Sequence, residues 1–335
     1  LGFIAALLSP IAPWITQIII AVIRIPAGFI TSIAHWIAGF PVLTIYKGLI
    51  GFLIVALIAG CLTLFKKFRK HLMILLLIIV MSLGWVQRWP AGDWEIAQCD
   101  VGQGDSLAIN LGNNRAVVID VGPDSVAEDK CLKSLGIREI PLLILTHFHA
   151  DHVGGLAGLL RKRRVAQVWI SNNRDPQIAS ALALNALKDS EIITVQKGLI
   201  AQVGGLKLEV LWPEANARSF EELPGDGSAI NNSSIAVTAR TADWTLFSAG
   251  DLEPPVQHEL INLVEAVDIY KVSHHGSKYQ DEALMRALSP QIALISVGAN
   301  NRYGHPAAES IDSLTRLGTQ VFRTDTDGAI AVTAS

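Results

Sequence analysis

The 335 residues are half apolar, 17% charged and of mean hydropathy +0.39. A chain that is soluble throughout is excluded, because an ordinary globular protein carries about 25% charged residues. The net charge of −3 also excludes a strongly basic nucleic-acid binder. Charge is segregated along the chain. Residues 1–87 contain no Asp or Glu, and their fixed cations are Arg24, Lys47, Lys66, Lys67, Arg69 and Lys70. All 30 acidic residues lie from Asp93 onward against the remaining 21 Lys and Arg, a balance of −9. An apolar membrane part over residues 1–90 is therefore expected to precede an acidic soluble part over residues 94–335.

Within residues 1–41, Pro10, Pro13, Pro26 and Pro41 divide apolar runs into pieces too short for regular spanning helices. These pieces are read as interfacial or re-entrant helices, with two further spans as the alternative. Residues 42–65 and 72–87 are long enough, or nearly so, to cross a bilayer, the second with Trp85 and Trp89 as interfacial anchors. KKFRKH at 66–71 lies between them. Short loops rich in Lys and Arg stay in the cytoplasm, so the part beyond residue 87 is expected on the outer face. With no basic start and no initiator Met, the chain reads as the tail of a longer multi-pass protein.

From Trp94 the pattern changes to short β runs separated by Gly, Asn and Asp. WEIAQCDVGQGDSLAINL reads as two strands about a glycine-rich turn, RAVVIDVG as a third ending at Asp120, and PLLILTH as a fourth ending at His147. VAQVWIS, LKLEVLWP, SIAVTAR, WTLFSAGD, IYKVSHH, IALISVG, QVFRT and AIAVTA follow as strands. LAGLLRKR, QIASALALNALKD, DEALMRAL and SIDSLTRLG read as helices between them. This is an α/β pattern with a large mixed or antiparallel sheet. Cys61, Cys99 and Cys131 have no tight spacing and read as plain structural thiols.

THFHADHVGG at 146–155 carries the chemistry. His147, His149, Asp151 and His152 follow an apolar strand directly, and a strand end turning into a helix can aim all four at one point. Nitrogen and oxygen donors of this kind suit Zn²⁺ or Mn²⁺. HFHADH resembles the metallo-β-lactamase superfamily, an αββα sandwich, over residues 94–335. The resemblance implies that Asp120 supports a ligand from behind, that Asp251 bridges two metals, and that His275, or its neighbour His274, is the last histidine ligand. His147, His149 and Asp251 would then hold one metal, and Asp151, His152, Asp251 and His275 the other. Where many members place a third histidine on the first metal, this chain has only Asn231 and Asn232, which would leave that site weaker.

DVGQGDS, the INNSSIAV segment, KVSHHGSK and VGANNRYGHP together resemble the ComEC family of competence proteins. That resemblance implies a membrane-anchored metal-dependent hydrolase acting on incoming DNA, with the membrane and other DNA-uptake components as partners. Two divalent metals suit phosphodiester displacement. Asp151 and Asp251 would be catalytic as well as ligating, and His274 and His305 would steady the phosphate or protonate the leaving group. Asp105 either caps its turn or lines the mouth of the site. Arg161, Lys162, Arg163 and Arg164 are a candidate DNA contact, or a solvated helix end. The alternative functions are hydrolysis of a small ester, and a transport component whose hydrolase domain is mainly structural.

Overall fold

The computed structural model describes residues 89–90, 93–215, 223 and 227–333, with a few isolated positions before residue 88. The chain divides into two units, Leu1–Arg88 and Trp89–Ser335. The expected spans at 42–65 and 72–87 lie outside the described residues, Ile74 apart. Among the described residues no helix is long and apolar enough to cross a membrane.

The second unit opens with strands β1 (Trp94–Gln98), β2 (Leu107–Asn110) and β3 (Arg115–Ile119), then helix α1 (Ser125–Ser134) and β4 (Glu139–Leu145). Two one-turn helices, α2 (Ala150–Val153) and α3 (Leu156–Leu159), lead to β5 (Arg164–Ile170), α4 (Gln177–Ala186) and β6 (Glu191–Thr194). The second half runs β7 (Ile200–Val203), β8 (Leu206–Trp212), α5 (Ser228–Asn231), β9 (Ala236–Arg240), β10 (Thr245–Ser248) and α6 (Pro254–Leu260). It continues through β11 (Ile269–Lys271), a 3₁₀ turn (Ser273–Gly276), α7 (Glu282–Leu288) and β12 (Ile292–Ile295). The last elements are α8 (Ala308–Arg316), β13 (Gln320–Arg323), α9 (Thr324–Asp327) and β14 (Ile330–Thr333).

The strands form two seven-stranded sheets, β14-β1-β2-β3-β4-β5-β6 and β13-β12-β11-β10-β9-β8-β7. Each is antiparallel in one half and parallel in the other. In the first sheet β3, β4, β5 and β6 run parallel, and in the second β10, β11, β12 and β13 do. Side chains alternate between the faces of each strand. Val117, Ile119, Leu142 and Ile144 point to a core shared with Leu246, Ile269 and Leu294 of the second sheet. Their neighbours Val118, Leu143 and Leu145 pack instead under α1, α3 and α4. On the far side Phe247, Tyr270 and Ile295 pack under α6, α7 and α8. The order of layers is αββα. Burial on both faces explains why the parallel strands read as unbroken apolar runs such as LLIL.

Several elements went unread in the sequence, among them β6, β7, α1 and α6. The strands β6 and β7 are four residues each and form the outer edges of their sheets, largely exposed, so they show no apolar run. The helix α1 is rich in charge and starts at Asp124, whose carboxylate accepts from Val126 N and Ala127 N. It also corrects the reading of the cysteines: Cys131 on α1 is disulfide-bonded to Cys99 at the end of β1, with Cα atoms 5.9 Å apart. The two lie 32 residues apart in sequence, and only the fold brings them together.

Candidate metal centre

The site forms where the parallel strands of both sheets end. Past β3, Asp120 takes a left-handed φ of 58° and accepts from Thr146 N (2.8 Å) and Thr146 Oγ1 (2.7 Å), tying the end of β3 to the end of β4. Asp120 Oδ2 also lies 2.8 Å from His152 Nδ1. A carboxylate there accepts a hydrogen bond from Nδ1–H and keeps the proton on that nitrogen, so the neutral ring turns its Nε2 lone pair to the cluster, oriented and sharpened as a ligand. His275 is arranged in the same way, its Nδ1 3.0 Å from the Ser296 carbonyl.

The second sheet supplies the opposite wall. Asp251 follows β10, and its backbone N donates to Ser234 Oγ at 3.2 Å. Gly250 has a φ of +50°, and a Cβ there would lie 2.8 Å from Thr146 Cβ, so the two sheets meet at a glycine because nothing larger fits. His274 and His275 both have left-handed backbone, φ 51° and 53°, in the turn after β11. Non-glycine residues in that region cost about 1–3 kcal/mol each, strain typical of functional sites.

The donors converge. His152 Nε2 lies 3.2 Å from Asp251 Oδ2 and 4.0 Å from Asp151 Oδ2. His275 Nε2 lies 3.3 Å from Asp151 Oδ2 and 3.5 Å from Asp251 Oδ2. Buried Asp105, His152, Asp251 and His275 each place one ligand atom within 4.8 Å of the others. Proximity overstates Asp105, however. Its oxygens face the Nδ1 edges of His275 (3.3 Å) and His152 (4.0 Å), the edges turned away from Asp251. Asp105 therefore stands behind both rings, and Asp151 and Asp251 stand before them. Asp105 is held there by a buried ion pair with Lys271, the last residue of β11. Gly104 makes the approach possible, since a Cβ there would lie 2.2 Å from the Asp151 carbonyl.

His152 Nε2, His275 Nε2 and Asp251 Oδ1 are buried without a hydrogen-bond partner. Such groups cost about 1–3 kcal/mol each when unsatisfied. A divalent cation between them would satisfy all three, and the nitrogen and oxygen donors fit Zn²⁺ or Mn²⁺. The electrostatics agree. Burial pulls His152 down, but Asp251, Asp120 and Asp151 outweigh it and hold the ring well above the usual histidine value. His275 is raised in the same way by Asp251 and Asp105. Burial pushes Asp251 up, but His152, His275 and His274 hold it well below the ordinary carboxylate range. The buried carboxylates demand positive charge.

The Metallo-beta-lactamase superfamily model matches residues 99–298. The chain belongs to that superfamily. It is 31% identical to ComE operon protein 3 of Bacillus subtilis (strain 168), over 75% of this chain and 34% of the relative. It is 24% identical to competence protein ComA of Neisseria gonorrhoeae, over 72% of this chain and 32% of the relative. The chain thus spans about a third of the length of these curated relatives. Among solved structures it is similar to the metallo-β-lactamase fold protein YhfI of Bacillus subtilis, with 10% identity, a TM-score of 0.48, and coverage of 70% of this chain and 99% of that one. The domain is a metallo-β-lactamase superfamily domain related to competence proteins.

The remaining candidates of this metallo-β-lactamase domain fall into place around the cluster. His147 Nε2 lies 3.0 Å from His149 Nδ1, and His147 Nδ1 lies 3.2 Å from Thr146 Oγ1 and from Ser234 Oγ. Burial holds both rings below the usual histidine value. Both asparagines are tied to Glu253: Asn231 Nδ2 donates to its carboxylate Oε1 (3.1 Å), and Asn232 Oδ1 accepts from its backbone N (3.0 Å), while Asn231 Oδ1 is buried without a partner. His274 Nε2 is 3.9 Å from Asp251 Oδ2. The ring of His305 lies one layer further out, 5.4 Å from that of His274, and burial with His274 and His275 pushes it down to about 4.

The basic run is not brought to the cluster. Parallel pairing sets Arg164 beside Glu139, at the opposite end of β4 from His147, and at roughly 3.3 Å per residue the two ends of that strand are about 20 Å apart. Arg163 is buried, donating to Asp129 Oδ1 and to the Ile137 and Gly158 carbonyls, a structural role. Arg161 pairs with the same aspartate, while Lys162 and Arg164 are exposed. Lys271, Glu253 and Ser234 were missed in the sequence. A lysine within an apolar strand, in IYKV, was the one available signal.

Proposed function

We propose that this domain hydrolyses phosphodiester bonds of DNA, as the nuclease part of a competence-type protein for DNA uptake. The observation that supports it most is the convergence of two neutralisable imidazole Nε2 atoms with Asp151 and Asp251, in a chain related to competence proteins. Asp151, His152, Asp251 and His275 would hold one divalent metal, and His147, His149 and Asp251 a second, Zn²⁺ or Mn²⁺ in each. Bound there, the metals supply the charge that activates a nucleophile and balances oxygen in an in-line displacement.

The chain's own residues set the conditions. Asp120 and the Ser296 carbonyl retain the Nδ1 protons of His152 and His275, so each ring presents a lone pair. Lys271 neutralises Asp105 behind them. Asp151 lies at the opening, with its side chain one third exposed, where a substrate arrives. His305, neutral near pH 7, offers a hydrogen bond to a phosphate oxygen or leaving group and not a ready proton.

The domain is placed on the outer face of the bacterial cytoplasmic membrane, anchored through the spans at 42–65 and 72–87. The KKFRKH loop supports that orientation, and so does the Cys99–Cys131 disulfide, since disulfides persist in oxidising compartments and are rare in the cytosol. Incoming DNA, the membrane and further uptake components are its partners.

The test is cutting of end-labelled DNA by the full chain in detergent with Mn²⁺ or Zn²⁺, beside Asp151→Ala. Cleavage by the parent alone is expected. Turnover of bis-p-nitrophenyl phosphate or a lactone without DNA cutting would move the function to a small ester. Inertness toward every substrate with metal bound would leave a structural domain of a transport component, a reading favoured by the engagement of Asn232 Oδ1 with Glu253 N.

A further inference from the structure

A cavity of about 440 Å³ opens beside the metal centre, lined by Lys278, Tyr279, Tyr303, His305, Ala308 and Glu309 among others. Its size falls within the roughly 300–1,000 Å³ of small-molecule sites. The cavity and the cluster share their framework. A Cβ on Gly276 would lie 2.8 Å from Pro306 Cβ, Gly276 O accepts from Ala307 N at 2.8 Å, and Ser277 O accepts from Ser310 Oγ at 2.6 Å. The turn carrying His274 and His275 is thus packed on and bonded to the 306–310 segment that lines the cavity. His305 is the shared wall, its ring 6.3 Å from that of His275 and 5.9 Å from that of Tyr303.

Tyr303 is 73% exposed. A lone exposed aromatic is ordinary, but this one is held in place. Asn301 accepts from Tyr303 N (3.1 Å) and His305 N (3.2 Å), and donates to the Gly298 (2.9 Å) and His305 (2.7 Å) carbonyls. One side chain closes the ANNRYGH loop on itself and presents the tyrosine ring at the rim. With the backbone beneath it fixed ahead of binding, the tyrosine has only its own side-chain rotation to lose when a flat ring stacks on it. Lys278 lies 5.1 Å over the Tyr279 ring, with its charge at the edge of the cavity. Glu309, also in the lining, would repel a phosphate entering the cavity and can accept from a ring N–H or an amino group of a base.

We propose that this cavity holds an unpaired nucleobase of the strand being cut, stacked on Tyr303, with the adjoining phosphate at the metal centre and Lys278 beside the backbone. This rests on the nuclease reading above. A base within a duplex is stacked and paired, and must leave the stack to enter such a cavity. The domain therefore acts on single strands or frayed ends in preference to the interior of a duplex. Base–aromatic stacking tolerates every sequence, as an enzyme for incoming DNA of any origin requires.

The test is equilibrium binding of two short phosphorothioate strands to the full chain in detergent, one of thymidines and one wholly abasic. The parent is expected to prefer the base-bearing strand by about five- to hundredfold, the range of one base–aromatic stack. Tyr303→Ala should lose most of that preference, and Tyr303→Phe, which keeps the ring, should retain it. Because Tyr303 is exposed, the alanine variant should unfold at the parent's Tm. Equal binding of the two strands by the parent, undiminished preference in Tyr303→Ala, or no binding of either strand would overturn the proposal. Cutting of the phosphodiester strand judges the nuclease reading separately. Preference lost in Tyr303→Ala without any cutting by the parent keeps the cavity and removes the nuclease. Cutting with preference unchanged does the reverse.

Discussion

On one side of the site His147 hydrogen-bonds to two hydroxyls and to His149, and burial holds both rings below the usual histidine value. His152 and His275, on the other side, face Asp151 and Asp251 within 4.0 Å and are held well above it. The residue type is the same, and the balance is opposite: burial wins at the first pair, and the carboxylates win at the second. Carboxylates make the second half hungry for a cation, whereas the first half offers neutral donors, with Asn232 Oδ1 already bonded to Glu253 N. Metal should fill the second half first and leave it last.

The strongest way to break this comparison is to remove a ligand from each half. His152→Ala should lower turnover by about a thousandfold, the several kcal/mol of charge stabilisation that a metal supplies. His147→Ala should leave one tightly bound metal per chain, counted by inductively coupled plasma mass spectrometry. Equal metal loss in both variants would erase the distinction.

Lys271→Met leaves Asp105 buried and uncompensated, which should cost about 3–5 kcal/mol in denaturant unfolding. Adding Asp105→Asn should return most of that loss. A single variant of unchanged stability would show the pair to be unimportant.

Asp120→Asn removes the carboxylate behind His152 and should weaken metal binding at the second half by about 10–100-fold, read by competition with a chelating dye. The pH dependence follows from the directions of the shifts. His152 and His275 are raised, so without metal their protons compensate the buried carboxylates below about pH 6.5. That stabilisation is lost as pH rises through the raised values. The chelated protein should therefore lose Tm above neutrality, while the metal-loaded protein holds its Tm. Metal affinity at the second half should still be climbing there, because each cation displaces protons. At the first half the lowered rings predict a flat profile above pH 6.5.

The smallest effect concerns the two ends of β4. Arg161→Ala with Arg164→Ala should change DNA cutting by less than about twofold, since exposed charges many Debye-screened ångströms away contribute little. A tenfold loss would bring the basic run back as part of the DNA path.

Legibility followed range along the chain. THFHADH was readable because its four candidate ligands lie within six residues at the end of one apolar strand, so local geometry alone aims them together. The parallel strands were readable because burial on both faces demands continuous apolar runs. The edge strands β6 and β7 bury little and left no such pattern. The cysteines misled for another reason: Cys99 and Cys131 are separated by two strands and a helix start, and nothing local pairs them.

By itself the sequence determined the segregation of an acid-free apolar part from an acidic domain, the strand-rich α/β class and the histidine-aspartate motif, because each depends on residues close together in the chain. Only the tertiary structure decided that Asp105 stands behind the histidines and Asp151 before them. It alone set Lys271 against Asp105, Asn231 and Asn232 against Glu253, and Arg163 inside the fold. These are contacts across sheets and layers, where desolvation makes an unpaired polar group costly and each partner is chosen by packing, which no local pattern records.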